Sequence, residues 1–115
     1  LRAYQQLAAM SDRVVVEGAG GFLVPINQQQ TLADLAVALN IPLVLVVGMR
    51  LGCINHTLLT IEAIKARGLT LAGWVANQID PSMAMFEENL ESLKQRIDAP
   101  CLSVARYQTV VEFDL

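Results

Sequence analysis

Basic residues are scarce in this chain. It has only two lysines, Lys65 and Lys94, and its net charge is −3. A general nucleic-acid surface needs clustered positive charge, so this composition argues against such a function. The longest apolar run, from Ile41 to Met49, is far shorter than the roughly 20 residues of a membrane-spanning helix. We therefore expect neither a nucleic acid nor a membrane as a partner.

Cysteine is also sparse, and no targeting segment is visible. Cys53 and Cys101 are far apart and match no spacing of metal ligands. Residues 1–10 have neither the continuous apolar core nor the small-residue cleavage site of a signal peptide. These features favour a reduced, cytoplasmic setting. The chain begins at Leu1 inside a helical pattern, so we expect it to be part of a larger protein.

Hydrophobic residues make up 54% of the chain, enough for one buried core in 115 residues. Their spacing predicts elements that alternate between helix and strand. Helices are expected at residues 2–10, 31–39, 53–67 and 80–97, and strands at 13–17, 41–48, 69–76 and 100–104. This order predicts an α/β fold, a parallel doubly wound sheet with helices on both faces. Ligands of such sheets bind beyond the carboxyl ends of the strands.

Glu17 stands at the end of the first expected strand. Four small residues follow it, in the order Gly18, Ala19, Gly20 and Gly21. A carboxylate that ends a buried apolar strand is costly to desolvate unless a cation or hydrogen-bond donors meet it. A magnesium ion bridging nucleotide phosphates is one such cation, and glycines let the backbone approach a phosphate closely. A solvated glutamate before a flexible turn is an equally good interpretation of this motif.

Two more strand ends carry candidate residues. Residues 51–55 precede a helix, whose free N–H groups could bind a carboxylate or a phosphate. The simpler reading makes Asn55 an N-cap and Gly52 a turn residue. Asn77 has an amide that could read the edge of adenine, although a turn before Asp80 is the commoner use of asparagine there. Glu87 and Glu88 are interpreted as the solvated face of a helix, and His56 is left out of the mechanism.

Three separated segments together resemble the dethiobiotin synthetase family. They are Val14 to Gly21 (VVVEGAGG), Pro42 to His56 (PLVLVVGMRLGCINH) and Gly68 to Asn77 (GLTLAGWVAN). Their order and intervals match the family, and the resemblance covers nearly the whole chain. It implies a P-loop NTPase-like fold, with residues 1–115 as the C-terminal part of a single ligase domain.

The resemblance also implies an activity. Members of this family are homodimers that use ATP and Mg²⁺ to join CO₂ to 7,8-diaminononanoate, through a carbamate that ATP phosphorylates before the ureido ring closes. Glu17 would bind the metal. The implied ATP-binding residues are Glu17, Gly18, Ala19, Gly20, Asn77, Gln78, Arg106, Tyr107 and Gln108. The substrate carboxylate would meet Leu51, Gly52, Cys53, Ile54 and Asn55, in a site at the subunit interface.

This sequence departs from the family pattern in two places. It contains no Gly-Lys pair, so the phosphate loop, the catalytic lysine and a second acidic metal ligand are expected upstream of Leu1. No catalytic residue is therefore expected in this segment, and the segment alone is expected to be inactive. The family's Gly-x-Ile-Pro segment is replaced by residues 103–107 (SVARY), which leaves the base contacts of residues 106–108 open.

Two other functions are compatible with these patterns. A related P-loop ligase of the cobyric acid synthase or cobyrinate amidase type shares the Glu-x-x-Gly strand end. A non-enzymatic dimerisation module is the other alternative. The run from Leu51 to His56 favours the diamine substrate over that of the related ligases.

Overall fold

The computed structural model describes residues 1–108 and contains four helices and three strands within them. In chain order these are α1 (Arg2–Met10), α2 (Leu32–Leu39), β1 (Leu43–Met49), α3 (Cys53–Ala66), β2 (Leu71–Gln78), α4 (Phe86–Arg96) and β3 (Cys101–Ala105). None of these helices is both long enough and apolar enough to cross a membrane. The chain forms two compact units, Leu1–Ile41 and a second that begins at Pro42. That residues 1–115 are the C-terminal part of a single ligase domain stays a prediction.

The first unit contains α1 and α2, and the start of α2 confirms its prediction from sequence. Thr31 is the N-cap in extended conformation, and its backbone N–H donates to the Asp34 carboxylate at 2.7 Å. The N–H of Asp34 in turn donates to the Thr31 carbonyl at 3.1 Å. These bonds satisfy groups that a helix start leaves without intrahelical partners, and they fix where α2 begins.

The strand expected at residues 13–17 is absent, so that prediction is wrong. Val15 is 76% exposed, and Glu17 is exposed as well. Within residues 1–41 the only bridge of β type joins Pro25 to Thr31. β-Branched residues favour extended backbone, but a strand exists only where a neighbouring chain segment accepts and donates its hydrogen bonds. No strand among the residues that the structure describes forms a ladder with this run.

The second unit is built on a parallel sheet with the strand order β1-β2-β3. Val47 lies opposite Ala76, and Ala76 lies opposite Val104. Each pair of neighbouring strands is joined through one helix, which is the connection that parallel pairing requires. The expected α/β class with parallel strands is confirmed.

Helices α3 and α4 pack against one face of this sheet. The buried cluster contains Val47, Met49, Cys53, Ile61, Trp74, Ala76, Phe86, Leu90, Leu93 and Ile97. Trp74 is fully buried, and its indole N–H donates to the Ala99 carbonyl at 3.2 Å, so its one polar atom is satisfied. On the other face Val44 and Val46 are exposed. The helices expected on that face are not among the elements of this unit.

Every boundary of the seven elements lies within two residues of its prediction, except the start of α4. β2 continues to Gln78, two residues beyond the expected end. Helix α4 begins at Phe86 rather than at residue 80, because the Asp80 carboxylate accepts hydrogen bonds from both the N–H and the hydroxyl of Ser82. Both bonds lower the pKa of the Asp80 carboxyl group, and the bond from the Ser82 hydroxyl has the larger effect. They stabilise a turn that competes with helix at this point.

Leu93 should carry much of the stability of the second unit, because its side chain is fully buried between α4 and the sheet. We expect Leu93→Ala to lower the free energy of unfolding by about 2–5 kcal/mol. Leu59→Ala on α3 is the matched control, since Leu59 is 56% exposed. It should cost about 1 kcal/mol or less. Urea denaturation followed by circular dichroism measures both, and equal losses would contradict this description of the core.

Candidate functional site

The carboxyl ends of the three strands lie along one edge of the sheet. Met49 at the end of β1 pairs with Gln78 at the end of β2, and Asn77 pairs with Ala105 at the end of β3. Because all three strands are parallel, the segments that follow them leave the sheet at this same edge. The sheet therefore brings together residues 51–55, residues 77–78 and residues 106–108, which sequence reasoning singled out separately.

The segment after β1 forms an open helix start. Gly52 is the N-cap of α3, with φ +88°, and a Cβ added there would meet no atom within 4 Å. Leu51 is 98% exposed. The first N–H groups of a helix have no intrahelical acceptor and carry the positive end of the helix dipole. Within residues 1–108 only the N–H groups of Ile54 and Asn55 in this turn have no acceptor, so these are the groups that can hold an anion such as a carboxylate.

The side chain of Cys53, in the segment of residues 51–55, faces the core and not the helix start. Cys53 is buried, and its thiol lies 3.8 Å from the Asn89 side-chain oxygen on α4. Its side chain thus packs inward, and its N–H donates to the Arg50 carbonyl at 3.0 Å. Asn55 lies in the first turn and is not the N-cap, so that alternative reading was wrong.

Asn77 and Gln78 are the last two residues of β2. The alternative of a turn at Asn77 is therefore wrong, since the residue pairs with both neighbouring strands. Its partly buried side-chain amide makes no hydrogen bond within residues 1–108. The side-chain oxygen of Gln78 accepts a hydrogen bond from the Tyr107 N–H at 3.2 Å. Gln78 thus binds the segment after β3, whereas the Asn77 amide has no partner within that range.

The segment after β3 also contacts helix α4. The Arg106 guanidinium donates to the Glu87 carboxylate at 2.6 Å and lies 4.4 Å from the centre of the Phe86 ring. Glu87 was interpreted as part of a solvated helix face, so sequence reasoning missed this pair. The available signal was topological: Glu87 follows β2 and Arg106 follows β3, which are neighbouring strands in the sheet.

The Glu17 segment belongs to the first unit. Gly20 and Gly21 have φ of +88° and +113°, a backbone conformation that disfavours other residues. A Cβ added at Gly21 would meet nothing within 4 Å. The backbone is thus open beside Gly21, whereas a Cβ at Gly18 or Gly20 would meet the side chain of Leu32 at 3.2 Å or of Val24 at 3.3 Å. Glu17 is exposed, so the desolvation argument for a cation beside it is wrong for this structure.

A magnesium ion fits this segment as a single-carboxylate site. Within the described part of the chain, no group of three or more His, Cys, Asp or Glu side chains is placed to hold a metal. Mg²⁺ bound to a nucleotide usually takes one or two carboxylates and fills its remaining positions with phosphate oxygens and water. The hard, exposed carboxylate of Glu17 satisfies that requirement together with phosphates.

The parallel α/β unit and its open strand ends are typical of nucleotide-binding proteins. A family model described as "AAA domain" matches residues 1–112, and the chain belongs to that family. This match supports the expected P-loop NTPase-like fold.

Three curated relatives share one name, ATP-dependent dethiobiotin synthetase BioD. The relative from Aromatoleum aromaticum is 62% identical, over 89% of this chain and 45% of its own length. The one from Cellvibrio japonicus is 63% identical, over 82% and 41%. The one from Nitrosospira multiformis is 54% identical, over 92% and 47%. The chain therefore spans less than half the length of each of these relatives.

Gly52 should be required for the geometry of the α3 start, since its φ of +88° is unfavourable for residues with a Cβ. We expect Gly52→Ala to lower the free energy of unfolding by about 1 kcal/mol and Gly52→Asn by less, because asparagine tolerates this conformation. Asn55→Ala, an exposed change in the same turn, should stay within about 0.5 kcal/mol. Urea denaturation would refute the assignment if Gly52→Ala were neutral.

Proposed function

We propose that the complete protein carrying this chain is an ATP-dependent dethiobiotin synthetase. The observation that carries the proposal is the identity of 54–63%, over 82–92% of the chain, to relatives that bear this name. The reaction joins CO₂ to 7,8-diaminononanoate and closes a ureido ring, as a step of biotin synthesis. We place it in the cytoplasm.

Two groups of residues are proposed to contact ATP. Its phosphates lie along Glu17, Gly18, Ala19 and Gly20, where the glycines place no Cβ between the backbone and an anion. The base is read by the Asn77 amide, which offers a donor and an acceptor in one plane. Gln78, Arg106, Tyr107 and Gln108 complete the base site, and the hydrogen bond between Gln78 and Tyr107 supports this grouping.

The substrate carboxylate is proposed to bind at the start of α3. Leu51, Gly52, Cys53, Ile54 and Asn55 contribute mainly through their backbone, because the N–H groups and the helix dipole both attract an anion. The 98% exposure of Leu51 leaves this loop accessible to a second subunit. We infer a homodimer in which the loop reaches the partner's site.

The proposed reaction is a carboxylation followed by ring closure. One amine of the substrate attacks CO₂ to form a carbamate and release a proton, and the carbamate oxygen takes the γ-phosphoryl group of ATP. The second amine then attacks the activated carbonyl carbon, and phosphate leaves as the new C–N bond closes the ring. Glu17 would hold Mg²⁺, which would supply charge neutralisation at the phosphates.

Residues of this chain bind and orient the reactants in this scheme. The α3 start holds the carboxylate end of the diamine, and the β2 and β3 ends hold the base end of ATP. Positioning of this kind lowers the barrier of phosphoryl transfer, which depends mostly on geometry and charge. The catalytic lysine is expected outside residues 1–115. No observation favours a cobyrinate-type ligase or a non-enzymatic module.

The direct test is product formation. We expect the complete protein to convert 7,8-diaminononanoate and bicarbonate to dethiobiotin only when ATP and Mg²⁺ are present, as measured by mass spectrometry. The 115-residue chain alone should give no product. Failure of the complete protein to form dethiobiotin would refute the proposed function. A normal rate from the 115-residue chain alone would refute the assignment of the catalytic lysine to a position outside this chain.

Glu17→Gln tests the metal assignment in the complete protein. Removal of the carboxylate should raise the Mg²⁺ concentration for half-maximal turnover on the order of 10- to 100-fold, while diaminononanoate affinity changes little. Glu62→Gln, an exposed change on α3, is the charge-matched control and should leave both quantities unchanged. An equal loss in magnesium response and in substrate binding would rule out a metal role for Glu17.

A further inference from the structure

Arg106 connects the segment after β3 to the first turn of α4. Its guanidinium makes a charge-assisted hydrogen bond of 2.6 Å to Glu87 and lies 4.4 Å from the centre of the Phe86 ring. Phe86 is 7% exposed, so the ring itself is fixed in the core. A planar guanidinium that is both paired and stacked has few alternative positions. The backbone at Arg106 is therefore held at a defined distance from α4.

The next residue is held from a second direction. The N–H of Tyr107 donates to the side-chain oxygen of Gln78 at 3.2 Å, which ties the same segment to the end of β2. Gln108 then adopts a left-handed backbone conformation, with φ +60°, and turns the chain. Two adjacent residues thus contact two different elements, and the Gln78 amide is oriented by the contact.

We propose that Glu87 and Phe86 are positioning residues for the nucleotide-base site and act through Arg106. This inference rests on the proposed ATP-binding role of Asn77, Gln78 and residues 106–108. Glu87 touches neither base nor phosphate. It keeps the segment after β3 in place, so that Tyr107 and Gln78 form one pre-arranged wall at the end of β2. Pre-arrangement lowers the ordering cost of binding and therefore affects nucleotide affinity rather than the chemical step.

Glu87→Gln in the complete protein is the main test. It keeps the shape of the side chain and removes the charge that pairs with Arg106. We expect the KM for ATP and the Kd of ADP to rise about threefold to fivefold, the range that an exposed ion pair permits, with kcat unchanged. Glu88→Gln is the matched control, since Glu88 is the neighbouring exposed glutamate in the same helical turn. It should leave both constants unchanged.

A double-mutant cycle shows whether the effect passes through Arg106. Glu87→Gln combined with Arg106→Gln should be no worse than Arg106→Gln alone, whereas independent effects would multiply. Phe86→Leu keeps an apolar side chain but removes the ring face, so it should also raise the KM for ATP without lowering kcat. The proposal would be overturned if the increases in KM from Glu87→Gln and Arg106→Gln multiplied in the double variant. A fall in kcat with the KM unchanged would overturn it as well.

Amide hydrogen exchange at Tyr107 separates this inference from the proposed function, because it needs no ligand. Exchange should be about threefold to fivefold faster in Glu87→Gln than in Glu88→Gln. If the wild-type protein binds no nucleotide, the proposed function fails and the positioning role fails with it, whatever the exchange rates. If the wild type is active but Glu87→Gln leaves the KM or the Tyr107 exchange unchanged, only the positioning role is wrong.

Discussion

The parallel hydrogen-bond ladder between β1, β2 and β3 is the constraint on which the described site depends. Parallel pairing requires a helix between consecutive strands, so every strand end is followed by a loop at the same edge of the sheet. The pairs Met49 with Gln78 and Asn77 with Ala105 set the level at which those loops begin. Candidate residues from distant parts of the sequence meet for that reason alone.

Local turns then decide what each loop presents at this edge. Gly52 begins α3, where the N–H groups of Ile54 and Asn55 have no acceptor within residues 1–108. Asp80 binds Ser82, so that α4 starts only at Phe86. The delayed start puts Phe86 and Glu87 in the first turn of the helix. Arg106 reaches both residues from the end of β3. This edge of the sheet thus combines the start of α3, the Asn77 amide at the end of β2, and the segment after β3 that Arg106 connects to α4.

Some of these features were visible in the sequence. The capping residues Thr31 and Asp34, the apolar run of β1 and the glycine after α3 each signal their element through contacts within a few residues, and each was placed correctly. The run at residues 13–17 has the same local signal for a strand, yet it forms none. A ladder needs a second segment, and β propensity carries no information about whether one is in reach.

The sequence by itself determined the α/β class, the helices and strands from Thr31 onward, and the resemblance that points to an ATP-dependent ligase. Hydrophobic periodicity and capping chemistry are properties of neighbouring residues, which is why they can be read from one chain. Only the tertiary structure decided that Asn77 lies within β2, that Glu17 is exposed, and that Glu87 pairs with Arg106. Those outcomes depend on ladder register and on contacts between residues far apart in sequence, and no local pattern encodes them.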